Sequence, residues 1–193
     1  MDLLKQRILR DGCNLGNGIL KVDGFINHQV DPVLMNECGR ELARRFQHVG
    51  ADRVLTAEIS GIAPAVMTAY YLGLPVVYAR KHKPVTMPGK VYLTVAPSHN
   101  KGHQVELIVS PDYLPRGEKI LIIDDFLASG NTIMGLVRLV EAAGAELVGI
   151  GALIEKRFEG GRDVFAHLGI PVESLACISS MEDGRIEFDD QIE

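Results

Sequence analysis

Apolar positions along this chain fall into short continuous runs and four-residue stripes, separated by glycine, proline and charge. Pro32–Gln47 carries Leu34, Cys38, Leu42 and Phe46 at intervals of four, the spacing of one helix face. From about Arg53 onward the pattern alternates between strand and helix. Arg53–Glu58 (RVLTAE) predicts a strand, Pro64–Leu72 a helix opened by proline, and Val76–Arg80 (VVYAR) the next strand. Ile120–Ile123 predicts another strand, apolar enough to be buried on both faces. In Thr132–Ala143 the residues Ile133, Leu136, Val137 and Val140 follow helical spacing, and Gly144 stands where such a helix stops. Leu147–Ile154 (LVGIGALI) predicts a further buried strand. Strand, helix and strand in regular order call for parallel pairing, so the expected fold is an α/β open, mainly parallel sheet flanked by helices. A single domain over residues 1–193 is expected, with its core at about 50–156.

Three segments depart from that rhythm. Leu20–Gln29 has mixed polarity and no clear period. Lys81–Gly117 is a long excursion in which Val91–Ala96 and Val105–Ser110 could pair as a hairpin, joined by the polar stretch Ser98–Gln104. A connection of that length is expected to be functional, as a flexible lid around 81–117. Ile59–Ala79 holds 21 residues without a charge, long enough to cross a bilayer. However, Gly61, Pro64, Gly73 and Pro75 divide it into loop, helix, loop and strand, which makes it core.

Composition narrows the function classes. With 193 residues, 47% hydrophobic and 23% charged, the chain has the balance of an ordinary globular domain. A net charge of −5 gives no global attraction to nucleic acid or to an anionic membrane. Cys13, Cys38 and Cys177 are odd in number and far apart, fitting neither a disulfide framework nor a CxxC motif; a reducing cytoplasm is the expected setting. Asp2, Lys5, Arg7 and Arg10 interrupt the only N-terminal apolar residues, so no signal peptide is expected. His99 and His103 are four apart, but Asn100 and Gly102 argue against a helix, and no metal site is expected there.

Candidate chemistry concentrates in residues 120–132, ILIIDDFLASGNT. Asp124 and Asp125 are expected where the strand emerges. Ala128, Ser129, Gly130, Asn131 and Thr132 then lead into a helix, which gathers free backbone N–H groups and a positive helix end at one point. That suits a phosphate. A carboxylate pair accepts hydrogen bonds, which suits sugar hydroxyls. Taken alone, the pair could equally be solvated turn residues. A Walker-type magnesium site would need a GxxxxGK[ST] loop, and a receiver domain an earlier acidic pair; the chain has neither. Glu58-Ile59-Ser60-Gly61 links a strand to a helix and could bind a second anion, or could be an ordinary turn with a capping serine. Arg80 and Lys81 end another strand at the same edge. With Lys83 they make a small basic cluster suited to diphosphate, although a solvated charge run is the preferred reading of Lys83.

The stretch IIDDFLASGNT resembles the phosphoribosyl-pyrophosphate motif of type I phosphoribosyltransferases, with Ser129-Gly130 where that pattern usually has Thr-Gly. The resemblance implies that Ala128 to Thr132 hold the 5′-phosphate of the substrate, abbreviated PRPP, and that Asp124 and Asp125 hold the ribose 2′- and 3′-hydroxyls. It extends over nearly the whole chain. LKVDGFINHQVDP (20–32), SGIAPAV (60–66), VVYARKHK (76–83) and LIEKRFEGGRD (153–163) are similar to bacterial xanthine phosphoribosyltransferases. That likeness implies the type I fold with an N-terminal base-binding segment, and base contacts from Leu20, Asn27 and Lys156. It also implies diphosphate binding by Ser60 and Gly61, a homodimer, and magnesium carried with PRPP rather than by a protein cage. The reaction implied joins xanthine to PRPP. Asn27 offers both a donor and an acceptor, and Lys156 can donate to a 6-oxo group; Phe158 could supply a flat face for the base or belong to the core. Guanine and hypoxanthine remain alternative bases, while a lysine cannot accept from the 6-amino group of adenine. A purine-sensing regulator of the same fold would need a DNA-binding domain, and only about fifty residues precede the first core strand.

Overall fold

The computed structural model describes residues 1–87, 89–97 and 104–189. Its elements, in chain order, begin with α1 (Asp2–Asp11), β1 (Cys13–Asn14), β2 (Leu20–Lys21), α2 (Pro32–Phe46), β3 (Arg53–Ala57), α3 (Ile62–Leu72) and β4 (Val76–Ala79). They continue through β5 (Tyr92–Pro97), β6 (Gln104–Val109), β7 (Lys119–Leu127), α4 (Asn131–Ala143), β8 (Glu146–Lys156), α5 (Gly161–Val164), β9 (Val172–Ser180) and β10 (Glu187–Phe188). Six strands form the central sheet in the order β10-β9-β8-β7-β3-β4, all parallel except β10.

Alternation along the central strands divides the core in two. In β7, Leu121 and Ile123 pack with α1, α2 and α3, whereas Ile120 and Ile122 pack with α4 and the β5–β6 hairpin. Strands buried on both faces therefore show apolar runs rather than alternation. Two of the helices show a local reason to start or stop. Asp31 caps α2 by accepting from the Val33 and Leu34 amides, and Pro32 fills the first helical position, where no amide bond is needed. Gly144 ends α4 in the left-handed conformation.

Several boundaries differ from the sequence expectation, in ways that matter for the site. Strand β7 does not end at Ile123; it runs on to Leu127, so Asp124 and Asp125 lie inside the strand. The apolar run stopped at the aspartates, but the backbone ladder did not. On one side β7 stays paired with β8 as far as Leu127↔Glu155, while on the other its register with β3 ends at Leu55↔Ile122. Likewise β8 continues to Lys156, which is its last residue rather than a residue past its end. Helix α3 begins at Ile62, with Pro64 in its first turn. The sheet also extends beyond 156 through β9 and β10.

The excursion after β4 is more docked than a free lid. Strands β5 and β6 pair antiparallel from Tyr92↔Val109 to Pro97↔Gln104. Ala96, Leu107, Ile108 and Val109 are buried. At Gly135 of α4 an added Cβ would lie 2.8 Å from Leu107 Cδ1 and 3.3 Å from Ala96 Cβ, so the hairpin sits directly on the helix backbone. Its base is core. The connection 98–103, with His99 and His103, lies outside the described residues. The uncharged stretch 59–79 is α3 and β4, and no helix among the described residues is long and apolar enough to cross a membrane.

Candidate functional site

A cavity of about 920 Å³ opens at the carboxyl ends of the parallel strands, where open α/β sheets bind ligands. One wall combines the end of β7 with the start of α4. Asp124 and Asp125 line it, as do Phe126, Ala128 and Thr132. Because β3 has left the ladder at Ile122, the strand edge beside the aspartates is free on the cavity side. Both side chains are nonetheless buried, at 5% and 7% exposure, and Asp124 Oδ1 accepts from the Asp125 amide at 3.0 Å. Burial, reinforced by the negative charge of Asp125, raises Asp124 well above the usual carboxyl range. Hydrogen-bond donors or positive charge brought by a ligand would favour its ionised form.

The loop beyond the aspartates leaves the start of α4 open to an anion. Gly130 caps α4 at φ 81°, a left-handed conformation that glycine adopts without strain, and no side chain caps the helix. The first-turn amides of α4 thus lack a side-chain acceptor. Beneath the loop, Gly161 donates its amide to the Ala128 carbonyl at 2.9 Å. A Cβ at Gly161 would collide with that carbonyl and lie 2.7 Å from Gly130 N. Gly161 is a seat for the loop that sequence reasoning did not single out; its only signal was the Gly160-Gly161 pair.

Opposite lies a second wall assembled from distant segments. Leu20 lines it from β2, together with Asn17, Gly18 and Ile19 of the preceding turn. Lys156 Nζ donates to the Gly18 carbonyl at 2.7 Å, approaches Glu159 Oε1 at 3.3 Å and stands 5.6 Å from the Phe126 ring centre. Gly16, Asn17 and Gly18 all have positive φ, and a Cβ on Gly18 would lie 3.3 Å from Phe158 Cε2. Phe158 and Glu159 complete this wall.

A third group closes the remaining side. Glu58, Ser60 and Lys81 line the cavity, and Glu58 Oε1 accepts from the Lys81 amide at 2.6 Å. Helix α3 has no side-chain cap, so Ser60 faces the cavity instead of serving as one. Gly61 is wedged against Asp124, where any Cβ would strike both the carboxylate and the Thr56 hydroxyl. From the hairpin, Ala96, Pro97, Val105 and Leu107 add an apolar side.

Of the residues expected from sequence, Leu20, Ser60, Lys81, Asp124, Asp125, Ala128, Thr132 and Lys156 meet at this one cavity. Ser129, Gly130 and Asn131 form the loop between two lining residues without lining it themselves. Arg80 is half-buried; its Nε stands 3.9 Å from Glu58, and its backbone bridges to Ile108 of β6. Lys83 donates to the Gly89 carbonyl at 2.7 Å. Asn27 ends a π-helical turn, Asp23–Asn27, and is exposed away from the cavity wall. Sequence reasoning passed over Glu159 and the turn at 16–18, and it read Glu58 only as part of the 58–61 loop, without a role for its carboxylate. Among the described residues no cluster of three or more His, Cys, Asp or Glu side chains is placed to hold a metal ion. Asp124 and Asp125 are carboxylate oxygen donors of the type magnesium prefers, and a pair alone suits an ion that arrives on a diphosphate and keeps several waters rather than one caged by the protein.

Comparison with known proteins agrees with this geometry. The phosphoribosyl transferase domain profile matches residues 34–171. The xanthine phosphoribosyltransferase of Lactobacillus delbrueckii subsp. bulgaricus is 47% identical over 188 residues, spanning 97% of this chain and 100% of that protein. That of Deinococcus deserti is 48% identical over 184 residues, 95% of each chain. Among solved structures, adenine phosphoribosyltransferase from Rhodothermus marinus superposes with a TM-score of 0.72 at 27% identity, covering 92% of this chain and 97% of the other. The adenine enzyme of Thermoanaerobacter pseudethanolicus gives 0.73 at 23% identity, covering 90% and 99%, a likeness of fold.

Proposed function

This chain belongs to the phosphoribosyl transferase family, and from that premise we propose that it joins xanthine to PRPP, releasing xanthosine 5′-monophosphate and diphosphate. One observation carries the reading: a single cavity presents an acidic pair beside an uncapped helix start on one wall and Lys156 on the other. The relatives nearly half identical over almost the full chain support xanthine as the base.

Cleaving the anomeric C–O bond develops positive charge on the ribose and negative charge on the departing diphosphate. Positioning and charge stabilisation therefore carry most of the catalysis. Asp124 and Asp125 hold the ribose 2′- and 3′-hydroxyls and place negative charge near the developing cation. The amides from Ala128 to Thr132 hold the 5′-phosphate. Ser60 and Lys81 receive the diphosphate, with Gly61 and Arg80 shaping that corner. Magnesium carried on PRPP supplies further charge neutralisation there. Lys156 donates to the 6-oxo group and favours an anionic base. Leu20 and Phe158 cover the base, and contact by Asn27 requires the 23–27 turn to move toward the ligand. Water competes for the ribose centre, and the apolar hairpin wall excludes it.

The enzyme works in the cytoplasm as a homodimer. Val66 and Tyr70, one turn apart on α3, leave exposed apolar surface that a second copy would cover. The test of the reaction is diphosphate release from purified protein with xanthine, guanine, hypoxanthine and adenine in turn. Xanthine should give the highest kcat/KM and adenine none. Faster release with guanine or hypoxanthine would overturn the base assignment, and no release with any base would overturn the transferase reading.

A further inference from the structure

Directly before Lys156, and on the opposite face of β8, stands a carboxylate the proposed reaction does not use. Glu155 is 1% exposed, and an ionised group so deeply buried needs a partner. Arg162 supplies it. Its Nε donates to Oε1 at 2.9 Å and its Nη2 to Oε2 at 2.5 Å, the forked geometry of a strong charge-assisted pair. The remaining nitrogen, Nη1, donates to the Val172 carbonyl of β9 at 2.5 Å. Burial pushes the Glu155 carboxyl up, but the Arg162 bonds and charge outweigh it and hold the group below its usual range. Arg157 stands 3.7 Å away and is more exposed, a weaker second partner.

What lies between the two members of this pair matters more than the pair itself. Residues 156–161 leave β8, make one 3₁₀ turn and return through Gly160 at φ 74°. Their first part carries Lys156, Phe158 and Glu159, the wall opposite the aspartates. Their last residue is Gly161, the seat of the 128–130 loop. Helix α5 has four residues, too few to hold a position by its own hydrogen bonds. The Glu155–Arg162 fork therefore closes a short loop whose two ends serve the two walls of the cavity.

We infer that the buried Glu155–Arg162 pair is a positioning pair that sets the Lys156–Phe158 wall and the Gly161 seat in one relative placement, so that affinity for both substrates depends on it. Neither residue touches substrate. The identity of the two ligands rests on the transferase reading, whereas the linkage between the walls rests on the loop geometry.

The experiment is calorimetry of xanthine and of PRPP, each binding alone to the wild-type protein, to Glu155→Asp and to Arg162→Lys. Aspartate keeps the charge but withdraws it by one methylene, and lysine keeps the charge but loses the fork. Both variants should weaken both ligands by a similar factor, on the order of tenfold, because displacing a positioned group by a fraction of an ångström is costly. A lower melting temperature with both affinities unchanged would reduce the pair to a structural brace and overturn the proposal. Weakening of one ligand alone would overturn it too. Should the variants not fold, amide exchange in the wild-type protein decides: PRPP alone should slow exchange at 156–161, and base alone at 128–132. Protection confined to each ligand's own wall refutes the linkage. Failure of the wild-type protein to bind PRPP and every purine would sink the transferase reading and this inference together; binding without linked loss sinks the inference alone.

Discussion

The two walls of the cavity are made in opposite ways. The wall proposed for ribose and phosphate is one continuous passage, residues 119–132, in which strand, loop and helix follow each other without interruption. The wall proposed for the base draws on residues 17–20 and 156–159, brought together by bonds such as Lys156 Nζ to Gly18 O across 138 positions of sequence. The difference follows from what each wall is proposed to recognise. A phosphate and two hydroxyls can be met by backbone amides and carboxylates, which local conformation places. A planar base needs faces and edges at fixed separations, and only tertiary packing provides those.

If that division is right, damage to the continuous wall should be indifferent to the base. Asp125→Asn preserves shape and removes a charge from beside the ribose. A loss of about 10²- to 10³-fold in kcat/KM is expected, the scale on which preorganised charge stabilisation acts. The loss should be equal for xanthine, guanine and hypoxanthine, with the circular dichroism spectrum unaltered. A base-selective loss would break the comparison, because it would make the carboxylate part of base recognition.

The complementary variant is Lys156→Met, which keeps the stem and deletes the ammonium. Base affinity should fall about 10- to 100-fold, the cost of a charge-assisted hydrogen bond, and xanthine should lose most. PRPP affinity should stay within about twofold, because the stem still packs and the fork behind it is intact. Titration of each ligand separately reads both numbers. An equal fall for PRPP would mean that the lysine itself, rather than the Glu155–Arg162 pair, links the walls.

The same division explains what could be read in advance. The apolar runs of β3, β7 and β8 and the stripes of α2 and α4 were legible because burial on a sheet face or helix face leaves a period. Their ends were less so: Asp124 and Asp125 interrupt the apolar pattern without interrupting the ladder to β8, so the pattern ends before the strand does. β9 escaped notice although Leu175, Ala176, Cys177 and Ile178 are buried, because Glu173, Ser174 and Ser179 break its run. On the base wall, Lys156 was within reach of a reading from its place at a strand end. The turn at 16–18 was not, since its role depends on Phe158 and Lys156 arriving from the far end of the chain. Gly161 was hidden for the same reason: only the folded contact with Ala128 shows why a side chain cannot stand there.

The smallest effect expected concerns stability, and it bears on whether the continuous wall is strained by its own function. Burial and the Asp125 carboxylate raise Asp124 well above 3.8, its unperturbed value, while the weaker influence of Lys81 pulls the other way. The folded protein therefore holds a proton on Asp124 at pH values where the unfolded chain has released it. Stability contributed by that proton is fully present below 3.8 and is lost as pH climbs through the raised folded value. Asp124→Asn, neutral at every pH, escapes the loss. The ligand-free variant should match the wild-type melting temperature near pH 4 and exceed it increasingly toward pH 8. It should also turn over poorly, since the carboxylate is gone from the ribose site. Melting curves of both proteins across that range decide the matter. A difference that stays constant with pH, or narrows as pH rises, would show that Asp124 is satisfied without a ligand. The acidic pair would then be ordinary buried structure rather than charge held ready for a sugar.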